Sequence, residues 1–141
     1  MDAEQKPLNK SIFKAYDIRG IYPTDINEKT AALIGTACVK LFNPGEVLVA
    51  YDARHGSPEL ARVLEESIRK SALELDKNIS VRGIGLSTTP MFYFLVNHFK
   101  TAGGCMVTAS HNPKEYNGIK IVREGAEMVA GTDILSIVES L

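Results

Sequence analysis

The residues best suited to chemistry lie within one run, Met106-Val107-Thr108-Ala109-Ser110-His111-Asn112-Pro113-Lys114-Glu115-Tyr116-Asn117-Gly118-Ile119-Lys120. Eleven positions from Ser110 to Lys120 hold two hydroxyls, an imidazole, two side-chain amides, two ammonium groups and a carboxylate. Three kinds of chemistry compete for Ser110. An acyl-transfer nucleophile needs a base within hydrogen-bond reach and, in α/β hydrolases, a G-x-S-x-G elbow. Thr108 and Asn112 occupy the elbow's glycine positions, and His111 is an immediate neighbour that faces away too readily to take the proton. A serine that merely closes a strand by bonding local backbone groups leaves the density of polar residues around it unexplained. Phosphoryl transfer accounts for more. A serine phosphate carries about −1.5 to −2 charges and needs donors and cations around it, which His111, Asn112 and backbone N–H groups can supply. Lys120 interrupts an apolar run beside the loop, where a lysine aimed back at the loop can move a proton.

The surrounding elements have to hold that loop. An apolar run from Cys105 to Val107 stops at small and polar residues, and a Gly-led apolar run resumes at Ile119. The pattern predicts strand, exposed loop, strand, with antiparallel pairing across so short a link. Pro113 restricts Asn112 to extended conformations, and Asn117-Gly118 has the composition of a turn with positive φ. Upstream, Ile12 to Pro23 is a short, partly alternating segment in which Asp17 and Arg19 are charged residues among apolar ones. They read either as a surface pair at a strand end or as an arginine aimed at an anionic ligand.

Asn27 predicts a helix over 28–41, and Glu46 to Tyr51 a strand buried on both faces. Asp52-Ala53-Arg54-His55 follows at that strand's carboxyl end, where open α/β sheets gather ligands. Arg54 and His55 there are open to three readings: a phosphate contact, the lining of a domain interface, or a solvated pair held by Asp52. Ser57 with Pro58 predicts a helix start, and Leu60, Val63, Leu64, Ile68 and Leu73 an inward face. Residues 78–84 read as a second buried strand, followed by a helix over 90–99 whose Phe92, Phe94 and Phe99 point to the core. The glycines at 83 and 85 do not complete a dinucleotide fingerprint, and no P-loop occurs. A last strand over 119–122 and a helix over 132–141 complete the pattern. Alternating strands and helices imply an α/β fold, three layers (α/β/α) around a mixed, mostly parallel sheet.

With 141 residues, 45% of them hydrophobic, the chain can bury a genuine core as one domain spanning 12–141, with 1–11 as a flexible N-terminus. No apolar run approaches the ~20 residues of a membrane span, and no apolar signal core opens the chain, so a cytoplasmic location without membrane partners is expected. Sixteen basic and seventeen acidic residues give a net charge of −1, which argues against nucleic acid as a partner. Cys38 and Cys105 lie in apolar stretches without metal-ligand spacing and read as buried thiols.

Thr108-Ala109-Ser110-His111-Asn112-Pro113, with Tyr116-Asn117-Gly118-Ile119-Lys120 behind it, resembles the active-site serine loop of the α-D-phosphohexomutases. Lys14-Ala15-Tyr16-Asp17-Ile18-Arg19-Gly20 resembles the amino-terminal motif of their phosphomannomutase/phosphoglucomutase branch, and segments at Asp52-Ala53-Arg54 and Thr89-Pro90 also match. The resemblance implies that Ser110 is a phosphoserine exchanging its phosphoryl group with hexose phosphates through a hexose 1,6-bisphosphate intermediate. One oxygen of that phosphate would ligate Mg²⁺. Lys120 would be the general acid/base, Tyr16 would contact substrate, Arg19 would anchor charge, and His111 and Asn112 would orient loop and phosphate. The family has four domains, so the remaining domains of the same polypeptide are implied partners. The metal-binding aspartate loop would lie in one of them, and the 141-residue chain alone is expected to be inactive. The rival expectation is a non-catalytic module that binds an anion or a partner through the same edge.

Overall fold

Asn27 opens the first helix as its residue type predicts, its side-chain oxygen accepting from the Thr30 amide at 3.1 Å. In the computed structural model, which describes residues 7–141, that helix is α1, Glu28–Leu41. The other helices are α2 (Ser57–Glu74), α3 (Thr89–His98) and α4 (Gly131–Glu139). The strands are β1 (Ile18–Ile21), β2 (Gly45–Tyr51), β3 (Ile79–Leu86), β4 (Gly103–Val107), β5 (Tyr116–Arg123) and β6 (Glu127–Val129). Of the segment expected to be a flexible N-terminus, residues 1–6 lie outside the described residues. Within the remainder, Asn9 caps a short 3-10 turn over Lys10–Ile12.

The sheet runs β1-β5-β4-β2-β3, with β6 on a further stretch of β5. β2 is parallel to β3 and β4, whereas β5 is antiparallel to β4, β1 and β6. Five of the six strands therefore point one way and β5 alone opposes them, so the sheet is mixed and mostly parallel, as expected. The antiparallel step follows from the short link: Val107 pairs with Ile119 and Met106 with Lys120.

Strand residues alternate between two cores. Val47, Val49, Cys105, Val107, Ile119 and Ile121 face a large one closed by α1, α2 and α4. Leu48, Ala50, Met106 and Val122 face a small one closed by Phe92 and Val96 of α3. Cys38 and Cys105 lie in the large core as free thiols, with their sulfurs 3.7 Å apart. Their mutual hydrogen bond, then burial, pushes the Cys38 thiol well above its ordinary range, so it stays neutral. No helix among the described residues is long and apolar enough to cross a membrane.

Several local expectations are corrected. Ser57 does not cap α2: Gly56, at φ 86°, holds that position, and Ser57 is buried with its hydroxyl donating to Asp52 at 2.6 Å. A polar network at the sheet edge has taken the side chain the cap would have used. Leu73, Phe94 and Phe99 are exposed rather than inward, because apolar type alone does not say which side of a helix faces the sheet. Among the described residues β3 pairs with β2 alone, and none of its residues is fully buried, so it is an edge strand and not a strand buried on both faces. Asn117-Gly118 is not a turn either. Both residues belong to β5, and a Cβ on Gly118 would strike the Ile18 carbonyl of β1, so glycine serves close strand approach there.

Candidate active site

Ser110 occupies the mouth of the sheet, three residues past the end of β4, and is exposed. Its φ is 57°, the left-handed region, where an L-residue costs about 1–2 kcal/mol. Local bonds hold it there. The Ser110 amide donates to Thr108 Oγ1 at 3.0 Å, and the Thr108 amide donates to the Gly118 carbonyl across the loop at 2.9 Å. Asn112 turns back on the loop, its backbone amide and its side-chain nitrogen both donating to the Ala109 carbonyl, at 3.1 and 2.7 Å. That arrangement uses Asn112 to shape the loop. His111 is exposed beside Ser110.

A second group of residues lies on the face that α3 covers. Lys120 pairs in register with Met106, and its neighbours Ile119 and Ile121 turn to the large core, so its side chain takes the opposite side. There its ammonium is 3.4 Å from Asp17 Oδ2, while Arg19 Nε is 3.6 Å from Asp17 Oδ1. Asp17 is only 7% exposed. Antiparallel pairing of β1 with β5 makes this possible, because it sets Ile18 opposite Ile119 and so brings residues 17 and 120 side by side. Asp17 and Arg19 are therefore not a detached surface pair: the carboxylate is buried and shared by two cations. Tyr16, adjoining them, is 73% exposed and presents its ring to solvent. An open cavity of about 700 Å³ on this face, lined by Thr108, Met106, Leu86, Thr88 and Met91, begins where the serine loop leaves the sheet.

Sequence reasoning left Arg54 undecided, and the structure gives it definite partners. Its terminal nitrogens donate to four carbonyls of the serine loop: Ser110 and Asn112 at 2.7 Å each, Pro113 at 2.8 Å and Tyr116 at 3.1 Å. Asp52 stands behind it, accepting from the Arg54 amide at 3.0 Å and lying 3.6 Å from Nε. Asp52 also holds Ser57, whose hydroxyl accepts from Asn117 Nδ2 at 3.0 Å. The signal available beforehand was an Asp-x-Arg at the carboxyl end of a parallel strand. Sequence spacing could not show a bond spanning more than fifty residues.

Residues 10–141 match the family model for phosphoglucomutase/phosphomannomutase, alpha/beta/alpha domain I. The chain belongs to this family. As a phosphoglucomutase/phosphomannomutase domain I, it is 46% identical over 118 residues to the "Phosphohexose mutases" of Xanthomonas campestris pv. campestris, covering 84% of this chain and 25% of that protein. To a phosphomannomutase of Klebsiella pneumoniae it is 40% identical over 129 residues, covering 92% of this chain and 78% of that sequence. The crystal structure of a phosphoglucomutase/phosphomannomutase family protein from Burkholderia thailandensis superposes with a TM-score of 0.80 at 32% identity, over 94% of this chain and 30% of that one. The chain thus spans about a quarter of the length of the Xanthomonas protein. The α/β/α fold of the domain I family is the one found here, with α1, α2 and α4 on one side of the sheet and α3 on the other.

Proposed function

We propose that this domain carries the phosphoserine of a phosphomannomutase/phosphoglucomutase that interconverts hexose 1-phosphates and hexose 6-phosphates. The observation that carries the reading is the exposed, left-handed Ser110 at the mouth of the same sheet on which Lys120, Asp17 and Arg19 converge. Exposure lets a sugar hydroxyl reach the phosphorus. In the forward transfer the bond from phosphorus to Ser110 Oγ breaks and a bond to the sugar oxygen forms. The proton of that sugar hydroxyl passes to a base, for which Lys120 Nζ, once it has given up its own proton and become the neutral amine, is the group this chain offers. The second half returns a phosphoryl group to Ser110 from the other end of the hexose 1,6-bisphosphate. Arg19, 43% exposed at its side chain, has donors to spare for an anionic substrate, and Tyr16 offers its ring and hydroxyl beside it. His111 stands next to the phosphate position.

Magnesium chemistry needs a ligand set, and the described residues do not complete one. No group of three or more His, Cys, Asp or Glu side chains among them is placed to hold a metal ion. Among the described residues the buried carboxylate is Asp17, and it is already shared by Lys120 and Arg19. This chain's contribution to a Mg²⁺ site would be a phosphate oxygen on Ser110, and the remaining ligands would have to come from outside the described residues. General acid/base help contributes about 10²–10⁴-fold, against up to ~10²¹ for the slowest phosphate-ester reactions. The 141-residue chain is therefore expected to show no mutase turnover by itself.

Intact-mass analysis tests the reading. The complete polypeptide incubated with a hexose 1,6-bisphosphate and magnesium should gain one phosphoryl group, and its Ser110→Ala variant should gain none. Absence of phosphate from every preparation would favour a domain that binds anions or a partner without catalysis.

A further inference from the structure

An arginine at the edge of an anion site is ordinarily assigned to the anion. Arg54 does not fit that assignment. A guanidinium has two N–H bonds on each terminal nitrogen, and here each terminal nitrogen meets two carbonyls: Pro113 and Tyr116 on Nη1, Ser110 and Asn112 on Nη2. The remaining N–H, on Nε, faces Asp52. The side chain is 16% exposed, and all its donors are directed at the protein.

We infer that Arg54 is a positioning residue for Ser110, acting through the loop backbone and not through contact with substrate. This rests on the reading of Ser110 as the phosphoryl carrier. The physical case has three parts. The four bonded carbonyls span Ser110 to Tyr116, so one planar cation sets the course of the whole loop. One of those carbonyls belongs to Ser110 itself, whose left-handed φ must be stabilised by its surroundings to persist. Finally, Asp52 ties the loop at both ends. It holds Arg54 directly and, through Ser57, reaches Asn117, whose side chain also donates to the His55 carbonyl at 3.0 Å. A lysine reproduces the charge but not the fork, so Arg54→Lys separates geometry from electrostatics.

Two measurements on Arg54→Lys and Arg54→Met decide the matter. In the 141-residue chain, hydrogen exchange of the bonded loop amides of Ser110 and Asn112 should accelerate by about tenfold or more in both variants, with protection in β4 and over residues 117–123 of β5 unchanged. The β4 and β5 amides report folding in the same experiment, and Arg54→Lys is the milder variant if Arg54→Met lowers their protection. Unchanged exchange in the loop would overturn the inference. In the complete polypeptide, Arg54→Lys should lower kcat by about 10–100-fold while leaving KM for the hexose phosphate within about twofold, the signature of a misplaced reacting group. A raised KM with unchanged kcat would instead make Arg54 a substrate contact and overturn the inference. If the unsubstituted polypeptide has no mutase activity but the variants loosen the loop, the clamp stands and the phosphoryl-carrier reading is what has failed.

Discussion

The two faces of this sheet are built differently. One is closed by three helices over a continuous apolar core, and its strand residues are aliphatic side chains and a cysteine. The other carries one helix, a small core, and a buried carboxylate shared by a lysine and an arginine. On the first face, burial of aliphatic side chains at about 1.5–3 kcal/mol each stabilises the domain. The second face gives up part of that burial and gains room for a ligand. Leu86, Met91 and Phe94 remain exposed there, and Leu86 and Met91 line the cavity beside Thr108. β5 belongs to both arrangements, because Ile119 and Ile121 serve the sealed face while Lys120 serves the open one. The alternation of a strand is what lets one segment stabilise the domain and present a charged side chain on its other face.

Stability measurements should separate the faces most clearly. Leu64 is fully buried in the large core, so Leu64→Ala should lower the unfolding free energy by about 2–5 kcal/mol in urea titrations. Phe94 on α3 is 58% exposed, with its ring stacked on His98 at 5.5 Å, and Phe94→Ala should cost less than about 1 kcal/mol. Equal losses would mean that the second face is as sealed as the first.

That distribution was partly legible in the sequence. Strand and helix order, the antiparallel step at the serine loop and the burial of Cys38 and Cys105 followed from period, turn length and composition. The mis-assigned positions share one cause. Leu73, Phe94 and Phe99 are apolar and lie on helices, but facing is set by how each helix docks, which a pattern with apolar residues on several sides does not determine. The roles of Ser57 and Asn117 were hidden for the opposite reason. Each has a strong local preference, cap or turn, that a tertiary hydrogen bond displaced. Asp17 became intelligible only through β1–β5 register, which brings it to a lysine more than a hundred positions away.

The open face can be probed at that carboxylate. Asp17→Asn keeps the shape but removes the charge that Lys120 and Arg19 share, leaving two neighbouring cations. Both cations retain some exposure, 18% for Lys120 and 43% for Arg19, so water offsets part of the loss. The expected destabilisation is about 1–2 kcal/mol, smaller than the deletion in the large core. In an Asp17→Asn/Lys120→Met double-mutant cycle the two changes should couple by about 1 kcal/mol. Strict additivity would show that the 3.4 Å approach contributes nothing, and would move Asp17 from the site to the scaffold.

The sealed face has a titration signature of its own. Tyr22 packs at the border of the large core and donates from its hydroxyl to Glu28 Oε1 at 2.6 Å. That bond, followed by burial and the nearby Glu28 charge, pushes the phenol from 10.0 up to about 12. A proton held more tightly in the folded chain than in the unfolded one stabilises the fold wherever the unfolded phenol is still protonated. The contribution is therefore complete below pH 10 and is lost as pH rises through about 12. The useful quantity is a difference between two proteins, which isolates this phenol from the rest of the chain. The gap in unfolding free energy between the unsubstituted chain and Tyr22→Phe should be constant at neutral pH and shrink between pH 10 and 12. Curves that stay parallel across that interval would remove Tyr22 from the devices that hold the sealed face together.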